Sequence, residues 1–98
     1  MKIAIIGAGN IGSWMAKRLR EKNEVAVYDK ISERARKISG VSHLRSLIDL
    51  VQFQPELLLN AVTIQNTVSA FNSSKKFLSD NCILADVTSV KGNLGEYY

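Results

Sequence analysis

The first twelve residues constrain the fold more than any other stretch. Lys2-Ile3-Ala4-Ile5-Ile6 is a short apolar run, and Gly7-Ala8-Gly9-Asn10-Ile11-Gly12 follows without a spacer. A run that is apolar throughout reads as a strand buried on both faces. The glycines stand in the spacing G-x-G-x-x-G, and a helical pattern opens within them. Strand, tight turn and helix in that order make the unit that receives a dinucleotide. Gly7 can take the dihedrals of a tight turn because it has no Cβ. Gly9 leaves room for a pyrophosphate against the backbone, and Gly12 lets the helix pack closely on the strand. The helix start offers unpaired N–H groups and a partial positive charge to the phosphates. The structural alternative is a glycine turn that binds nothing. The strand and helix on either side of the motif argue against it.

The rest of the chain alternates strand and helix. The first helix is expected over Asn10–Lys22, with Ile11, Trp14, Met15 and Leu19 as its inward stripe. Trp14 reads as core, and Asn23 as the helix stop. Glu24–Tyr28 is the second strand, with Val25, Ala26 and Val27 at its centre. Ile31–Ser39 reads as a helix with Ile31, Ala35 and Ile38 inward, and Gly40 ends it. Val41-Ser42 is a very short third strand. His43–Phe53 reads as a helix with a stripe of Leu44, Leu47, Ile48 and Val51. Pro55 breaks it, and Glu56–Val62 is the fourth strand. Thr67–Ser79 reads as a helix, Asn81–Ala85 as the fifth strand, and Asn93–Tyr98 as the start of another helix. Five strands separated by helical segments predict an α/β fold, a doubly wound parallel sheet of order 3-2-1-4-5, the Rossmann arrangement. Right-handed crossovers then bring the strand C-termini to one edge.

That edge collects the candidate site. Asp29 follows the second strand directly, seventeen residues after Gly12, where an acid bonds the adenosine ribose. A helix-capping or loop acid is the alternative. Lys30 and Arg34 follow and could neutralise a 2′-phosphate. Asp29 would repel one, so NAD is favoured, with NADP possible. The candidate cofactor residues are therefore Gly7, Ala8, Gly9, Asn10, Ile11, Gly12, Asp29, Lys30 and Arg34. Val62 and Thr63, with Gln65 and Asn66, join them at the end of the fourth strand.

Composition excludes other classes. Ninety-eight residues make one domain, able to bury about 60–65% of its extended surface. The net charge of +4 comes largely from Lys17, Arg18, Arg20 and Lys22 and from Arg34, Arg36 and Lys37. Both groups mix with acids on predicted helices and have no interleaved aromatics, so they read as solvated helix faces rather than a nucleic-acid surface. The single Cys82 supports no disulfide framework, and a reducing, cytoplasmic setting fits. No apolar stretch is long enough for a membrane span, and no signal segment is recognisable. His43, the only histidine, stands apart from any catalytic group and reads as a surface or capping residue. No metal site is expected.

Asp86-Val87-Thr88-Ser89-Val90-Lys91, after a half-sheet that opens with Gly7-Ala8-Gly9-Asn10-Ile11-Gly12, resembles the N-terminal domain of prephenate dehydrogenases. In that family the fifth strand ends in D-x-x-S-V-K. The resemblance covers nearly the whole chain, and it implies oxidative decarboxylation of prephenate to 4-hydroxyphenylpyruvate in tyrosine biosynthesis. It implies that Ser89, the motif serine, is catalytic: it binds the substrate hydroxyl and orients a catalytic histidine. A hydroxyl can donate and accept where a proton leaves. A cap on the following helix is the alternative role for Ser89.

The family's histidine and its C-terminal helical domain have no counterpart in these 98 residues. The expectation is a fragment of a longer enzyme that binds cofactor but turns over little prephenate alone. The missing domain would supply cations for the substrate's two carboxylates and a homodimer interface. Two alternatives remain at this level. One is another dehydrogenase of the β-hydroxyacid or aspartate type. The other is a nucleotide-binding regulatory module without catalysis.

Overall fold

The computed structural model describes residues 1–61 and 74–86. Its centre is a five-stranded parallel sheet: β1 (Lys2–Ile6), β2 (Glu24–Tyr28), β3 (Ser42–His43), β4 (Leu57–Asn60) and β5 (Ile83–Asp86). The order across the sheet is β3-β2-β1-β4-β5, as predicted. Ile3 sits between Val25 and Leu57, and Ile5 between Val27 and Leu59. The central strand thus has an apolar partner on each side.

Alternation along the strands sorts the core into two layers. Ile3, Ile5, Val25, Val27 and Leu59 face one side, where Ala16, Ala35 and Ile38 cover them. Ala4, Ile6, Ala26 and Leu58 face the other, against Leu50 and Phe53. Phe77, Leu78 and Cys82 pack on the edge of this second layer. Ile5 and Leu58 are fully buried, and each contributes about 1.5–3 kcal/mol by removal from water.

On the first side lie α1 (Asn10–Leu19) and α2 (Ser32–Arg36). The first begins where the glycine spacing predicts and is shorter than expected at its end. Asn23 stops it, donating from both its backbone N–H and its side-chain amide to the Leu19 carbonyl at 3.0 Å. Of the predicted stripe, Met15 and Leu19 pack against the core, and Trp14 does not. Gly12 and Ala16 are the buried residues of α1, and Trp14 is 62% exposed. Gly12 and Ala16, the smallest residues, let the helix axis approach the sheet. Trp14 instead lies under the Arg18 guanidinium, 5.7 Å from its ring centre. The α2 helix is a turn and a half rather than the predicted nine residues. Ile38 N–H bonds the Ala35 carbonyl, a tight 3₁₀-type close. Ile31, expected inward, is exposed, whereas Ala35 and Ile38 are buried as expected.

The segment from His43 to Phe53 departs most from expectation. His43 belongs to β3, a 3₁₀ turn runs over Leu47–Asp49, and only Leu50–Phe53 (α3) is α-helical. Ile48 and Val51 of the predicted stripe are exposed, and Leu50 and Phe53 are buried instead. Ser46 and Asp49 form a reciprocal capping box at the start of the turn. That box begins the helix three residues later than the apolar pattern suggests. Gln54 ends it at φ 49°, a left-handed cap. Most of the predicted helix 67–79 and the expected helix 93–98 lie outside the described residues.

Candidate functional site

The β1–α1 corner stands at the C-terminal edge of the central strands. Gly7 takes φ 105°, a conformation that favours glycine, and its N–H continues the ladder to the Tyr28 carbonyl at 2.7 Å. A Cβ on Gly12 would overlap the carbonyl oxygen of Gly7 and stand 3.5 Å from Ala61 Cβ. Helix and turn therefore touch backbone to backbone. A Cβ on Gly9 would meet nothing within 4 Å. The space above the turn is open, and Gly9 is what borders it.

The start of α1 is also electrically open. Gly9 is its N-cap, no side chain caps it, and no acid lies in its first turn. The first amides of a helix have no intrahelical partner. Two side chains fix the turn below them. Ser13 donates its hydroxyl to the Ala8 carbonyl at 2.9 Å. Asp29 accepts the Ala8 N–H at 2.7 Å with Oδ2, and the Ile31 N–H at 2.8 Å with Oδ1. One carboxylate thus ties the glycine turn to the loop after β2.

A cleft of about 600 Å³ opens beside this corner, between α1 and α2. Ala8, Gly9, Asn10 and Ser13 form one wall, and Lys17, Arg34 and Lys37 bring the charge. The predicted residues Ala8, Gly9, Asn10 and Arg34 meet here. Ile11 and Gly12 belong to the same turn, and Asp29 reaches it through Ala8. Lys30 does not line the cleft. Ser13 was not singled out from the sequence, and Lys17 and Lys37 were read there only as parts of solvated helix faces. The i, i+3 spacing of Arg34 and Lys37 was a legible signal, but Lys17 comes from another helix. Val62, Thr63, Gln65, Asn66 and Ser89 lie outside the described residues.

His43 is not part of this corner. Its Nε2 stands 2.8 Å from the Ile38 carbonyl, which can only accept, so that nitrogen carries the proton. It borders a separate cleft of about 490 Å³ with Lys2, Glu24, Arg45 and Asp49, a mixed-charge surface. His43 itself is exposed. Among the described residues no group of His, Cys, Asp and Glu could hold a metal ion, and no helix is long and apolar enough to cross a membrane.

Residues 2–89 match the protein family described as NADP oxidoreductase, coenzyme F420-dependent. The chain belongs to this family. A curated relative, arogenate dehydrogenase 1, chloroplastic, of Arabidopsis thaliana, is 30% identical over 95 residues. The match takes in 93% of this chain and 15% of the plant protein. Among solved structures, prephenate dehydrogenase from A. aeolicus in complex with hydroxyphenyl propionate and NAD+ superposes with a TM-score of 0.80 at 20% identity. Synechocystis arogenate dehydrogenase gives 0.77 at 23%. Each match covers 88% of this chain and 32% of that protein. Mycobacterium tuberculosis 3-hydroxyisobutyrate dehydrogenase gives 0.73 at 20%, over 87% of this chain and 30% of that one. The chain therefore spans between 15% and 32% of the length of these relatives. The resemblance to the N-terminal domain of prephenate dehydrogenases holds at the level of that domain and its fold.

Proposed function

We propose that this chain is the cofactor-binding domain of a prephenate- or arogenate-type dehydrogenase, and that its cofactor is NAD. The observation that carries the reading is the β1–α1 corner. There an uncapped helix start faces open space over Gly9, and Asp29 stands beside it. In this reading the free amides of the turn hold the diphosphate. Each Asp29 oxygen keeps a second lone-pair direction for the adenosine ribose hydroxyls. Ser13 and Asp29 hold the turn rigid, so little ordering is needed on binding. The bound nicotinamide supplies the hydride acceptor.

The substrate reading rests on Asp86-Val87-Thr88-Ser89-Val90-Lys91 and on the similarity to the plant arogenate dehydrogenase. Ser89 is the proposed catalytic residue, acting on the hydroxyl that loses its proton. Val62 and Thr63 are proposed cofactor contacts. Turnover, the dimer interface and recognition of the two carboxylates of prephenate are assigned to a further domain in a longer protein. The product, 4-hydroxyphenylpyruvate or its amino-acid counterpart, would place that protein in tyrosine biosynthesis, in a reducing compartment such as the cytoplasm.

Calorimetric titration of the chain with NAD, NADP, prephenate and arogenate separately tests the reading. Heat of binding with a dinucleotide and none with prephenate or arogenate is the expected result. Silence with both dinucleotides would overturn it.

A further inference from the structure

The Ala8–Gly9 peptide is held by something other than the helix ladder. The first ladder bond of α1 runs from the Ser13 N–H to the Gly9 carbonyl at 2.9 Å. The Ala8 carbonyl lies one residue earlier, ahead of the N-cap, and no backbone amide among the described residues donates to it. The Ser13 hydroxyl takes that place and donates to it at 2.9 Å. Ser13 therefore pins two consecutive carbonyls, one with its N–H and one with its side chain. A trans peptide is planar, so its N–H points opposite its carbonyl. Pinning the Ala8 carbonyl toward the helix aims the Gly9 N–H away from it, in line with the first amides of the helix. Among the described residues the Gly9 N–H has no partner. Asp29 acts on the preceding peptide instead. It holds the Ala8 N–H, and the Gly7 carbonyl of that peptide is the atom in close contact with Gly12. One side chain thus governs how the turn packs, and the other governs where a free donor points.

We propose that Ser13 is a positioning residue for the diphosphate, its hydroxyl aiming the Gly9 N–H at the phosphate oxygens. The proposal rests on the dinucleotide reading above and adds to it the group that orients one of the donors. In this scheme Ser13 acts through the Ala8–Gly9 peptide and does not touch the ligand. A donor held in place beforehand costs no ordering on binding, and a hydrogen bond weakens steeply as its angle departs from linear. With alanine at position 13 the peptide loses its anchor, and the Gly9 N–H can swing out of line. Threonine keeps the hydroxyl and with it the aim.

Isothermal titration of the whole chain with NAD, in the parent, Ser13→Ala and Ser13→Thr, tests it. Thermal unfolding and the Gly9 amide signal in proton–nitrogen NMR are followed alongside. Ser13→Ala should weaken NAD about tenfold, the worth of one hydrogen bond to a charged group, while unfolding stays cooperative. Ser13→Thr should bind NAD within about twofold of the parent, because the donor to Ala8 is kept. Saturating NAD should shift the Gly9 amide signal in the parent and in Ser13→Thr, and clearly less in Ser13→Ala. Parent-like affinity in Ser13→Ala would overturn the role of Ser13 and leave the dinucleotide reading intact. An equal loss in Ser13→Thr would do the same. A Gly9 shift in Ser13→Ala equal to the parent's, or a Ser13→Ala chain that no longer unfolds cooperatively, would reduce the hydroxyl to a structural brace and also overturn the proposal. No binding of NAD by the parent chain would overturn both readings.

Discussion

Two helix starts in this chain solve the same problem in opposite ways. At Ser46–Asp49 the serine side chain accepts a helix amide and the aspartate reaches back to the cap. Asp49 Oδ2 also accepts the Arg45 N–H at 2.9 Å. That start consumes its own donors. At Gly9–Asn10 no side chain caps the helix, and the nearest acid, Asp29, takes the amide of Ala8 below it. That start leaves its donors for something else. With glycine at the cap, the unfilled terminus costs only about a few tenths of a kcal/mol relative to a capping side chain. The fold tolerates the cost at the corner where the strand ends, the glycine turn and the cationic cleft converge, and avoids it at the corner that only supports Leu50 and Phe53.

The contrast can be broken in several places. The largest effect is expected from Gly12→Ala. Its new methyl would strike the Gly7 carbonyl, which is backbone and cannot move aside. A loss of about 3 kcal/mol is expected, the upper end for an overpacked site. At about 4–8 °C per kcal/mol for a domain of this size, thermal unfolding would register it plainly. A melting temperature within about 2 °C of the parent would show that the close contact is not structural.

Gly9→Ala should behave in the opposite sense. Its methyl meets no protein atom, and the native φ of −72° suits alanine, so stability should hold within about 0.5 kcal/mol. Dinucleotide affinity should fall about tenfold or more, because the methyl occupies the space above the turn. Unchanged affinity in calorimetry would mean that the space is not a phosphate site.

Ser46→Ala should cost about 1 kcal/mol in chemical denaturation and leave dinucleotide affinity unchanged. A loss of affinity there would erase the distinction between the two starts.

The smallest effect concerns Cys82. Its partial burial holds the thiol above its ordinary pKa, against a smaller opposing pull from the Leu58 backbone. A raised acid pKa favours the folded state below the unfolded value, and that contribution fades as pH climbs through the folded one. Alkylation at pH 8 should therefore be slower in the folded chain than in urea, because less thiolate is present. Equal rates would place the thiol in solvent.

Much of the fold was legible in periodicity. The bounds of β1 and β2, the start of α1 and the strand order all follow from apolar runs and glycine spacing, which are local and strong. The His43–Phe53 segment was not. Four apolar residues there fit a 3.6-residue period, but the capping box split the segment and selected Leu50 and Phe53 for the core. Trp14 was misread for a related reason. Hydrophobicity predicts which residues prefer to be buried, whereas backbone approach decides which ones a helix can bury.

The sequence by itself determined that the first strand ends in a glycine turn from which a helix starts. That follows from three glycines whose missing Cβ atoms act locally. Only the tertiary structure decided the company the turn keeps. Asp29 lies 21 positions from Ala8 yet binds its amide, and Lys17 and Lys37 face one cleft from separate helices. Charge selects a ligand by distance in space, and that distance is set by the crossover of the chain from β1 to β2 and on to β3.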